Sequence, residues 1–290
     1  AMACRVLARH RMLDLWGHAS IRVPKSECIL VTPRFGKSCL PRTICADDMI
    51  VTDMSGRIVE GRGELPRQFA ADVELYRTSG EAGACIFASP QTAMASAISQ
   101  YKLQPLTHME AEVAYGMSVW NSTGLADKPP AARELASMIA KATAVDQPGI
   151  GTWTQGQNII RALMNIYHLE YLAQANLVGA ALPKGNLCKP EDSEKLWRQF
   201  AGWDHYVEFF HSLDPGPLPH VAAQWTGPAV TSEEIKRAVS VSCKALWERD
   251  TLVAFLEHVS HRLPEPDRMI ISAAKNFGEI GPHDMCVLDY

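Results

Sequence analysis

The sequence of 290 residues lacks several features that would assign a chain to a class at once. Its eight cysteines form no Cys-x-x-Cys pair, which argues against a zinc ribbon and favours free thiols in a reducing compartment. No apolar run approaches the length of a membrane span, and the N-terminus has no signal-peptide core. These absences predict a cytoplasmic protein that does not contact membranes.

An excess of positive charge is also missing. The chain has 28 Lys and Arg residues against 32 Asp and Glu residues, and this balance argues against a nucleic-acid partner. Hydrophobic residues make up 47% of the chain and charged residues 21%, which predicts a globular protein with a substantial core. The length allows one large domain or two smaller ones.

The most informative stretch is residues 17–38, which read GHASIRVPKSECILVTPRFGKS. His18, Ser20 and Arg22 alternate with apolar residues, so a β-strand places all three on one face. A turn and an apolar strand at residues 28–31 follow. The polar loop after that strand contains Thr32, Arg34, Lys37 and Ser38.

Two interpretations of this predicted hairpin stay open. It is suited to an oxygen-rich anion, because an arginine holds a carboxylate with two hydrogen bonds and hydroxyl groups complete the site. In the other interpretation, the polar face is solvated, or Arg22 and His18 pair with acidic residues nearby in the chain such as Glu27 or Asp48.

The rest of the chain predicts strands mixed with helices. Strands are predicted at residues 47–53, 58–60, 84–88 and 145–153. Helices are predicted at residues 3–15, 67–78, 91–99, 131–142 and 158–178, whereas residues 109–120 are ambiguous. Aromatic residues and prolines are mixed over residues 190–228, which predicts a connector that packs on a folded part of the chain.

The hairpin motif returns near the C-terminus. Residues 257–264 align without a gap with residues 17–24, and His, Ser, Arg and Pro are identical in both. The match continues through residues 269–272 and then, with four residues dropped, through residues 284–289. A similarity this long predicts a partial internal duplication, with a first domain at 1–189, a connector at 190–228 and a partial second copy at 229–290. Either the chain is a piece of a longer two-domain protein, or the second copy is a genuine half-unit.

Several motifs follow one another in a characteristic order over residues 3–185. They are GHASIR, ILVTP, DDMIVTD-x-x-G, a Leu-Pro helix ending at Tyr76, ACIFASP, QPLTH, and a Gly-x-Gly strand before a long helix with Leu169 and Glu170. In this order and spacing the chain resembles the class II aldolase/adducin family. The resemblance implies a three-layer α/β/α domain with a mixed, largely antiparallel sheet, assembled as a homo-oligomer. It also implies an enzyme that cleaves or forms carbon–carbon bonds next to a carbonyl, or a non-catalytic assembly domain like that of adducin.

The resemblance further implies a divalent metal, often zinc, held by three histidines. The matching positions here are Phe87, Ser89 and Ile150, and none of them is a histidine. Phenyl and alkyl side chains have no lone pair for a metal, and a serine hydroxyl is a poor zinc ligand. Two helix positions that often carry Glu and His fall on Gln68 and Asp72, and Asp72 alone cannot hold the ion. We therefore predict neither a metal nor another cofactor.

Without a metal, acid and base side chains have to carry any reaction. The candidate catalytic residues are Asp72, His108, Ser89 and His18, because histidine titrates near neutrality and a buried carboxyl group can transfer protons. The candidate substrate contacts are Ser20, Arg22, Thr32, Arg34, Ser38, Phe87, Ile150 and Trp153. We predict a metal-independent lyase-type enzyme that decarboxylates, or performs a retro-aldol or aldol-type cyclisation, on an oxygenated carbonyl or carboxylate molecule.

Overall fold

In the computed structural model, an eight-stranded sheet forms the centre of the first unit, residues 1–220. Its strands are β1 (His18–Arg22), β2 (Cys28–Val31), β3 (Ile50–Asp53), β4 (Ile58–Glu60), β5 (Ala84–Ala88), β6 (Met117–Val119), β7 (Ala144–Gln147) and β8 (Gly151–Gly156). Their order is β4-β3-β2-β1-β5-β8-β7-β6. The pair β6–β7 is parallel and the other six pairs are antiparallel, as expected from the family resemblance.

Helices cover both faces of this sheet. They are α1 (Met2–Arg9), α2 (Phe69–Thr78), α3 (Gln91–Ile98), α4 (Ala111–Gly116), α5 (Pro129–Ile139), α6 (Ile159–Gly179) and α7 (Asp204–Leu213). Strand β5 shows how the faces divide, because alternate side chains of a strand point to opposite sides. Ala84 and Ile86 join the core formed with α1 and α6, whereas Cys85 and Phe87 join the core formed with α2 and α5. The predicted three-layer α/β/α architecture is confirmed.

The structure describes residues 1–36, 39–108, 110–180, 189–192, 195, 204–217, 231–248, 258–265, 267–273 and 280–289. Ser38, a predicted substrate contact, lies outside these residues. No helix in the described part of the chain is both long enough and apolar enough to cross a membrane.

Three predicted elements need correction. The helix predicted at residues 3–15 ends at Arg9. The single strand predicted at residues 145–153 is wrong, because β7 and β8 are separate antiparallel strands joined by a tight turn. Pro148 and Gly149 form this turn; Gly149 adopts a φ of +76°, and the amide of Ile150 donates to the carbonyl oxygen of Gln147 at 3.0 Å. The strand predicted from residue 47 begins only at Ile50, because Ala46–Asp48 forms a 3₁₀ turn. The ambiguous residues 109–120 contain α4 and β6.

The described part of residues 190–228 packs on the first unit. Phe210 of α7 is buried in the core with α1 and α6, and its ring centroid lies 5.6 Å from that of Tyr167. The segment is therefore part of the fold where it is described.

Arg5 fixes α1 to the segment after α7. Arg5 is only 9% exposed, and its Nε donates to Asp214 Oδ1 at 2.7 Å, while Nη2 donates to Asp214 Oδ2. The remaining nitrogen, Nη1, donates to the carbonyl oxygen of Ile44 at 2.6 Å. Two parallel hydrogen bonds are the strongest way for an arginine to hold a carboxylate. They also hold the pKa of Asp214 below its ordinary value.

The second unit, residues 221–290, contains a smaller antiparallel sheet. The strands of this sheet are β9 (Ser260–Arg262), β10 (Arg268–Ser272) and β11 (Met285–Asp289), in the order β11-β10-β9. Helix α8 (Ser232–Glu248) precedes them in the chain. Ser260 pairs with Ile271 as Ser20 pairs with Val31 in the first unit. The remaining cross-strand pairs of β9 and β10 likewise stand 240 positions above those of β1 and β2.

The turn that leads into β3 in the first unit has the same form as the turn that leads into β11 in the second unit. Asp48 Oδ2 accepts a hydrogen bond from the amide of Cys45 at 2.8 Å, and Asp284 Oδ2 accepts one from the amide of Gly281 at 2.9 Å. Each carboxylate closes a three-residue 3₁₀ turn that leads into β3 or β11. We propose on these grounds that the second unit is a partial copy of the first unit's initial strands.

We predict that Asp214→Asn lowers the free energy of unfolding by about 2 kcal/mol at pH 7, because Arg5 then keeps a largely buried charge with no counter-charge. The folded state lowers the pKa of Asp214, so this contribution is present above the ordinary carboxyl pKa and is lost as the pH falls through the lower folded value. Urea denaturation should therefore show a difference at pH 7 that shrinks below pH ~4.

The control for Asp214→Asn is Arg57→Gln, which removes an exposed ion pair with Asp53. Exposed pairs contribute little, so this variant should change stability by less than about 0.5 kcal/mol. Equal stability of Asp214→Asn and wild type at pH 7 would contradict the assigned role of the buried pair.

Candidate functional site

A buried polar network joins β1 to α2. His18 Nε2 lies 2.8 Å from Asp72 Oδ2, and Ser20 Oγ donates to Asp72 Oδ1 at 2.5 Å. Ser20 Oγ also lies 2.9 Å from the hydroxyl oxygen of Tyr76, and each of these four residues is at most 1% exposed. The strand alternation does place His18 and Ser20 on one face. The anion that this face holds is Asp72 of the chain itself.

Two groups near Asp72, the hydroxyl of Tyr76 and the thiol of Cys85, keep their protons. Burial raises the pKa of the Tyr76 hydroxyl well above its usual value. Burial, and after it the nearby charge of Asp72, likewise raises the pKa of the Cys85 thiol. His18 Nδ1 has no hydrogen-bond partner among the described residues, and Nε2 is the ring nitrogen that meets Asp72. Tyr76 and Cys85 therefore stay protonated beside Asp72.

Arg22 binds the end of α2. Its Nη2 donates to the carbonyl oxygen of Ser79 at 2.8 Å and also to that of Tyr76. The last carbonyl groups of a helix lack partners within the helix and carry partial negative charge, so a guanidinium group there stabilises the helix end. Thr32 is fully buried, and its hydroxyl accepts from the amide of Ala19 at 3.4 Å.

These positions correct part of the sequence-based expectation. Ser20, Arg22 and Thr32 were expected to contact a substrate, and all three instead bond to the protein's own backbone or to Asp72. The pairing of Arg22 and His18 with Glu27 or Asp48 is also not what occurs, because α2 supplies the partners. His18, Ser20 and Arg22 of the hairpin therefore hold helix α2.

A cleft of about 260 Å³ is lined by Phe87, whose ring centroid lies 5.8 Å from that of His18. The lining residues that matter below are Trp16, Arg34, Arg67, Gln68, Phe87 and Ile150. Two of them, Phe87 and Ile150, stand at positions where the family resemblance implies metal ligands. The cleft therefore occupies the place of the expected metal site.

Phe87 forms the inner wall of this cleft. Its ring stacks on the buried ring of Trp153, with centroids 4.5 Å apart and an interplanar angle of 26°. A Cβ atom on Gly151 would lie 2.5 Å from Phe87 Cε2, so the glycine leaves the space that the phenyl ring fills. Trp153 was expected to contact substrate. It lies behind Phe87 and supports the wall instead.

The four predicted catalytic residues do not converge in the cleft. His18 and Asp72 are buried and do not line the cleft, and the ring centroids of His18 and Phe87 lie 5.8 Å apart. Ser89 is half-buried, does not line the cleft, and donates its amide to the carbonyl oxygen of Met12 at 2.8 Å. His108 is exposed in the loop before α4 and does not line the cleft either.

Several cleft residues were not among the predicted site residues, and three of them, Trp16, Arg67 and Gln68, carry polar or large aromatic side chains. Trp16 is 63% exposed, and the guanidinium carbon of Arg67 lies 5.8 Å from its ring centroid. Gln68 is only 4% exposed, and its Oε1 accepts from the amide of Ala126 at 2.9 Å. Gln68 Nε2 has no hydrogen-bond partner in the described part of the chain. The available signal was the Leu-Pro-Arg-Gln sequence that opens α2, which places Arg67 and Gln68 beside the apolar wall.

The donor set at this site does not fit a divalent metal. Phe87 and Ile150 offer no lone pair, and both carboxylate oxygens of Asp72 already accept hydrogen bonds. Gln68 Oε1 is occupied by the amide of Ala126. Among the described residues, no three side chains of His, Cys, Asp or Glu gather as a metal site requires.

A second buried carboxyl group supports the turn at the cleft edge. Asp146 Oδ1 accepts from the hydroxyl of Thr152 at 2.5 Å, across the β7–β8 pair that leads into Gly149 and Ile150. Burial raises the pKa of Asp146 to about 6, against the opposing effect of the Thr152 hydrogen bond. The charged form of this group is therefore unfavourable in the folded chain.

Known proteins share this fold. A sequence model described as "Class II Aldolase and Adducin N-terminal domain" matches residues 1–177. An L-fuculose 1-phosphate aldolase from Glaciozyma antarctica PI12 matches with a TM-score of 0.60 and 18% identity, over 73% of this chain and 85% of that chain. An aldolase II superfamily protein from Pseudomonas syringae matches with a TM-score of 0.59 and 20% identity, over 73% of this chain and 91% of that chain. YgbL from Klebsiella pneumoniae is described as a candidate aldolase/epimerase/decarboxylase. It matches with a TM-score of 0.57 and 15% identity, over 67% of this chain and 93% of that chain. At these identities the solved structures establish the fold alone.

We predict that Asp146→Asn raises the free energy of unfolding by about 2 kcal/mol at pH 7.5, because the amide still accepts from Thr152 but carries no charge. The folded state raises the pKa of Asp146, so wild type loses stability as the pH rises through the window from about 4 to 6. Thermal unfolding should show equal stabilities near pH 4 and a constant advantage of the variant above pH ~6.

Asp127→Asn is the matched control, since Asp127 is exposed. This substitution should leave the pH dependence of stability unchanged. A variant Asp146→Asn that is less stable than wild type at pH 7.5 would show that the ionised carboxylate is favourable in the fold.

Proposed function

The chain belongs to the class II aldolase and adducin N-terminal domain family, whose sequence model matches residues 1–177, and on that premise we propose that it is a lyase-type enzyme. The reaction breaks or forms a carbon–carbon bond next to a carbonyl group, by decarboxylation, retro-aldol cleavage or aldol-type cyclisation. The cleft beside Phe87 is the reaction site. Relatives of the same fold described as L-fuculose 1-phosphate aldolase support the lyase class.

The observation that carries this proposal is the retained cleft. An open space of about 260 Å³ persists where the expected metal ligands are replaced by Phe87 and Ile150. A domain that serves only assembly gains nothing from an open cleft with a buried amide donor, Gln68, in its wall. The cleft favours a substrate somewhat smaller than the drug-sized ligands that fill pockets of about 300–1,000 Å³.

The walls indicate the chemistry of the substrate. Phe87 and Ile150 give an apolar floor, and apolar walls exclude water from a reactive carbanion or enolate. Arg34 and Arg67 stand among the lining residues, and Arg34 pairs with Glu64 at 2.8 Å while Arg67 has no ion pair among the described residues. Arg67 is therefore the cation that meets a substrate carboxylate. A small β-keto acid combines the carbonyl, the carboxylate and the activation that this site requires.

The reaction proceeds without a metal in this proposal. The family's Lewis acid makes the enolate accessible from unactivated substrates, whereas a β-keto acid already carries the carbonyl that accepts the electron pair. The donor set around Phe87, Ile150 and Asp72 supports this assignment, because it offers no ligands to an ion. The acid/base roles of Asp72, His18, Ser89 and His108 stay predictions, and their positions give them no direct access to the cleft.

A second candidate function is a non-catalytic assembly domain. The C-terminal half of α6 exposes three large apolar side chains, Tyr171, Leu177 and Val178. Exposed apolar groups of this size favour a protein contact. A homo-oligomer that uses this face is compatible with either function, so assembly alone does not separate the two candidates.

We predict that the purified chain releases CO₂ or an aldehyde from at least one member of a panel of small β-keto and β-hydroxycarbonyl acids, and that chelator treatment leaves this activity unchanged. Elemental analysis should find only substoichiometric zinc. Stoichiometric zinc together with loss of turnover in chelator would overturn the metal-free assignment.

Ile150→Trp tests the location, because the larger side chain fills the cleft. It should lower kcat/KM by more than about ten-fold, which corresponds to 1.4 kcal/mol in the barrier. The matched control is Ile98→Trp, at an exposed position of α3 that does not line the cleft. An inactive wild type whose sedimentation coefficient falls on Val178→Asp would favour the assembly domain instead.

A further inference from the structure

We propose that Gln68 is a catalytic residue, in that its Nε2 donates a hydrogen bond to the substrate's carbonyl oxygen and stabilises the enolate formed there. This inference rests on the proposed function, since it names the donor that replaces the Lewis acid at that site. It assigns a role to a side chain that the residue pattern marked only as a lost ligand position.

The orientation of the Gln68 amide is fixed by the fold. The backbone amide of Ala126 can only donate, so the side-chain atom 2.9 Å from it is the oxygen, Oε1. Gln68 is 4% exposed and Ala126 is fully buried, which holds this contact in a dry environment. The nitrogen, Nε2, is consequently the end of the amide left for the cleft that Gln68 lines.

Gln68 Nε2 has no hydrogen-bond partner within the described residues, and it is not among their fully buried unpaired atoms. It is therefore accessible from the cleft that Gln68 lines. This donor stands beside Phe87 and Ile150, which offer it nothing. An acceptor that enters the cleft can therefore take the hydrogen bond that Nε2 gives to no described protein group, and a carbonyl oxygen is such an acceptor.

The chemistry of a β-keto acid uses this donor at the critical step. The bond between the α carbon and the carboxylate carbon breaks, CO₂ leaves, and the electron pair moves through the α carbon onto the carbonyl oxygen. The resulting enolate oxygen carries negative charge, and the hydrogen bond from Nε2 strengthens as that charge develops. A proton from water then adds to the α carbon, the carbonyl re-forms, and hydroxide is left to combine with CO₂ as bicarbonate.

An amide suits this task better than the carboxylate often found at this position in the family. A carboxylate at residue 68 would repel the enolate oxygen at neutral pH, whereas the neutral amide donates at every pH. The same oxygen-to-amide contact with Ala126 remains available to a glutamate, so Gln68→Glu changes the donor without removing the anchor. This difference supplies a test that a merely structural role does not satisfy.

The experiment uses the full chain with acetoacetate and 3-oxoglutarate as probes. Gln68→Leu should lower kcat by about 10²–10³-fold, the usual effect of losing one oxyanion donor, with KM nearly unchanged. Gln68→Glu should be equally slow at pH 7.5 and should regain activity as the pH falls toward the pKa of its carboxyl group. The matched control is Gln174→Leu on α6, away from the cleft, which should leave kcat unchanged.

A binding measurement separates this inference from the proposed function. Oxalate is a planar anion that resembles an enolate, and calorimetry should show at least about ten-fold weaker binding to Gln68→Leu than to wild type. If wild type turns over a probe and Gln68→Leu keeps its kcat, the donor role of Gln68 is overturned and the lyase function stands. If wild type turns over no substrate, the lyase function fails and the catalytic role of Gln68 fails with it, even where oxalate binding depends on this side chain.

Discussion

The pairing of Asp72 with His18 and Ser20 is the interaction on which the site depends. A carboxylate with no exposure must be surrounded by donors, and β1 supplies two of them at 2.8 and 2.5 Å. Arg22 then binds the carbonyl groups at the end of the same helix. Together these contacts fix the rotation and the axial position of α2. Gln68, four residues before Asp72 and therefore one helical turn earlier, reaches the cleft wall only because α2 is held in this way.

The cleft shows how a family scaffold accommodates a change in chemistry. Replacing a ligand with Phe87 brings its own requirements, because the phenyl ring needs Trp153 beneath it and needs Gly151 to leave room beside it. The polar hairpin persists, since its partner is a helix of the same domain and not the metal. An intact polar motif is therefore weak evidence for an intact active site when its partners are internal.

The parts of this structure that follow from local periodicity could be predicted from the sequence. The alternation of His18, Ser20 and Arg22 follows from the period of two in a strand, and the α6 stripe follows from the period of a helix. The partner of His18 could not be predicted, because Asp72 lies 54 positions away and spacing along the chain does not encode which helix packs on a strand. The orientation of Gln68 in the cleft could not be predicted for the same reason, because it depends on Ala126, which lies 58 positions away. The turn at Gly149 is different, since Pro148-Gly149 marked it in the sequence.

The Arg5–Asp214 pair has a consequence for how the chain is made. The two residues are separated by 209 positions, so a ribosome working at roughly 5–20 residues per second needs about 10–40 seconds to synthesise the second after the first. Throughout that interval the guanidinium group of Arg5 lacks its carboxylate partner. The apolar face of α1 also lacks Phe210, which packs in the same core and has not yet been synthesised. Helix α1 is thus completed long after it is synthesised, and residues 2–9 stay accessible to chaperones that shield nascent chains during that interval.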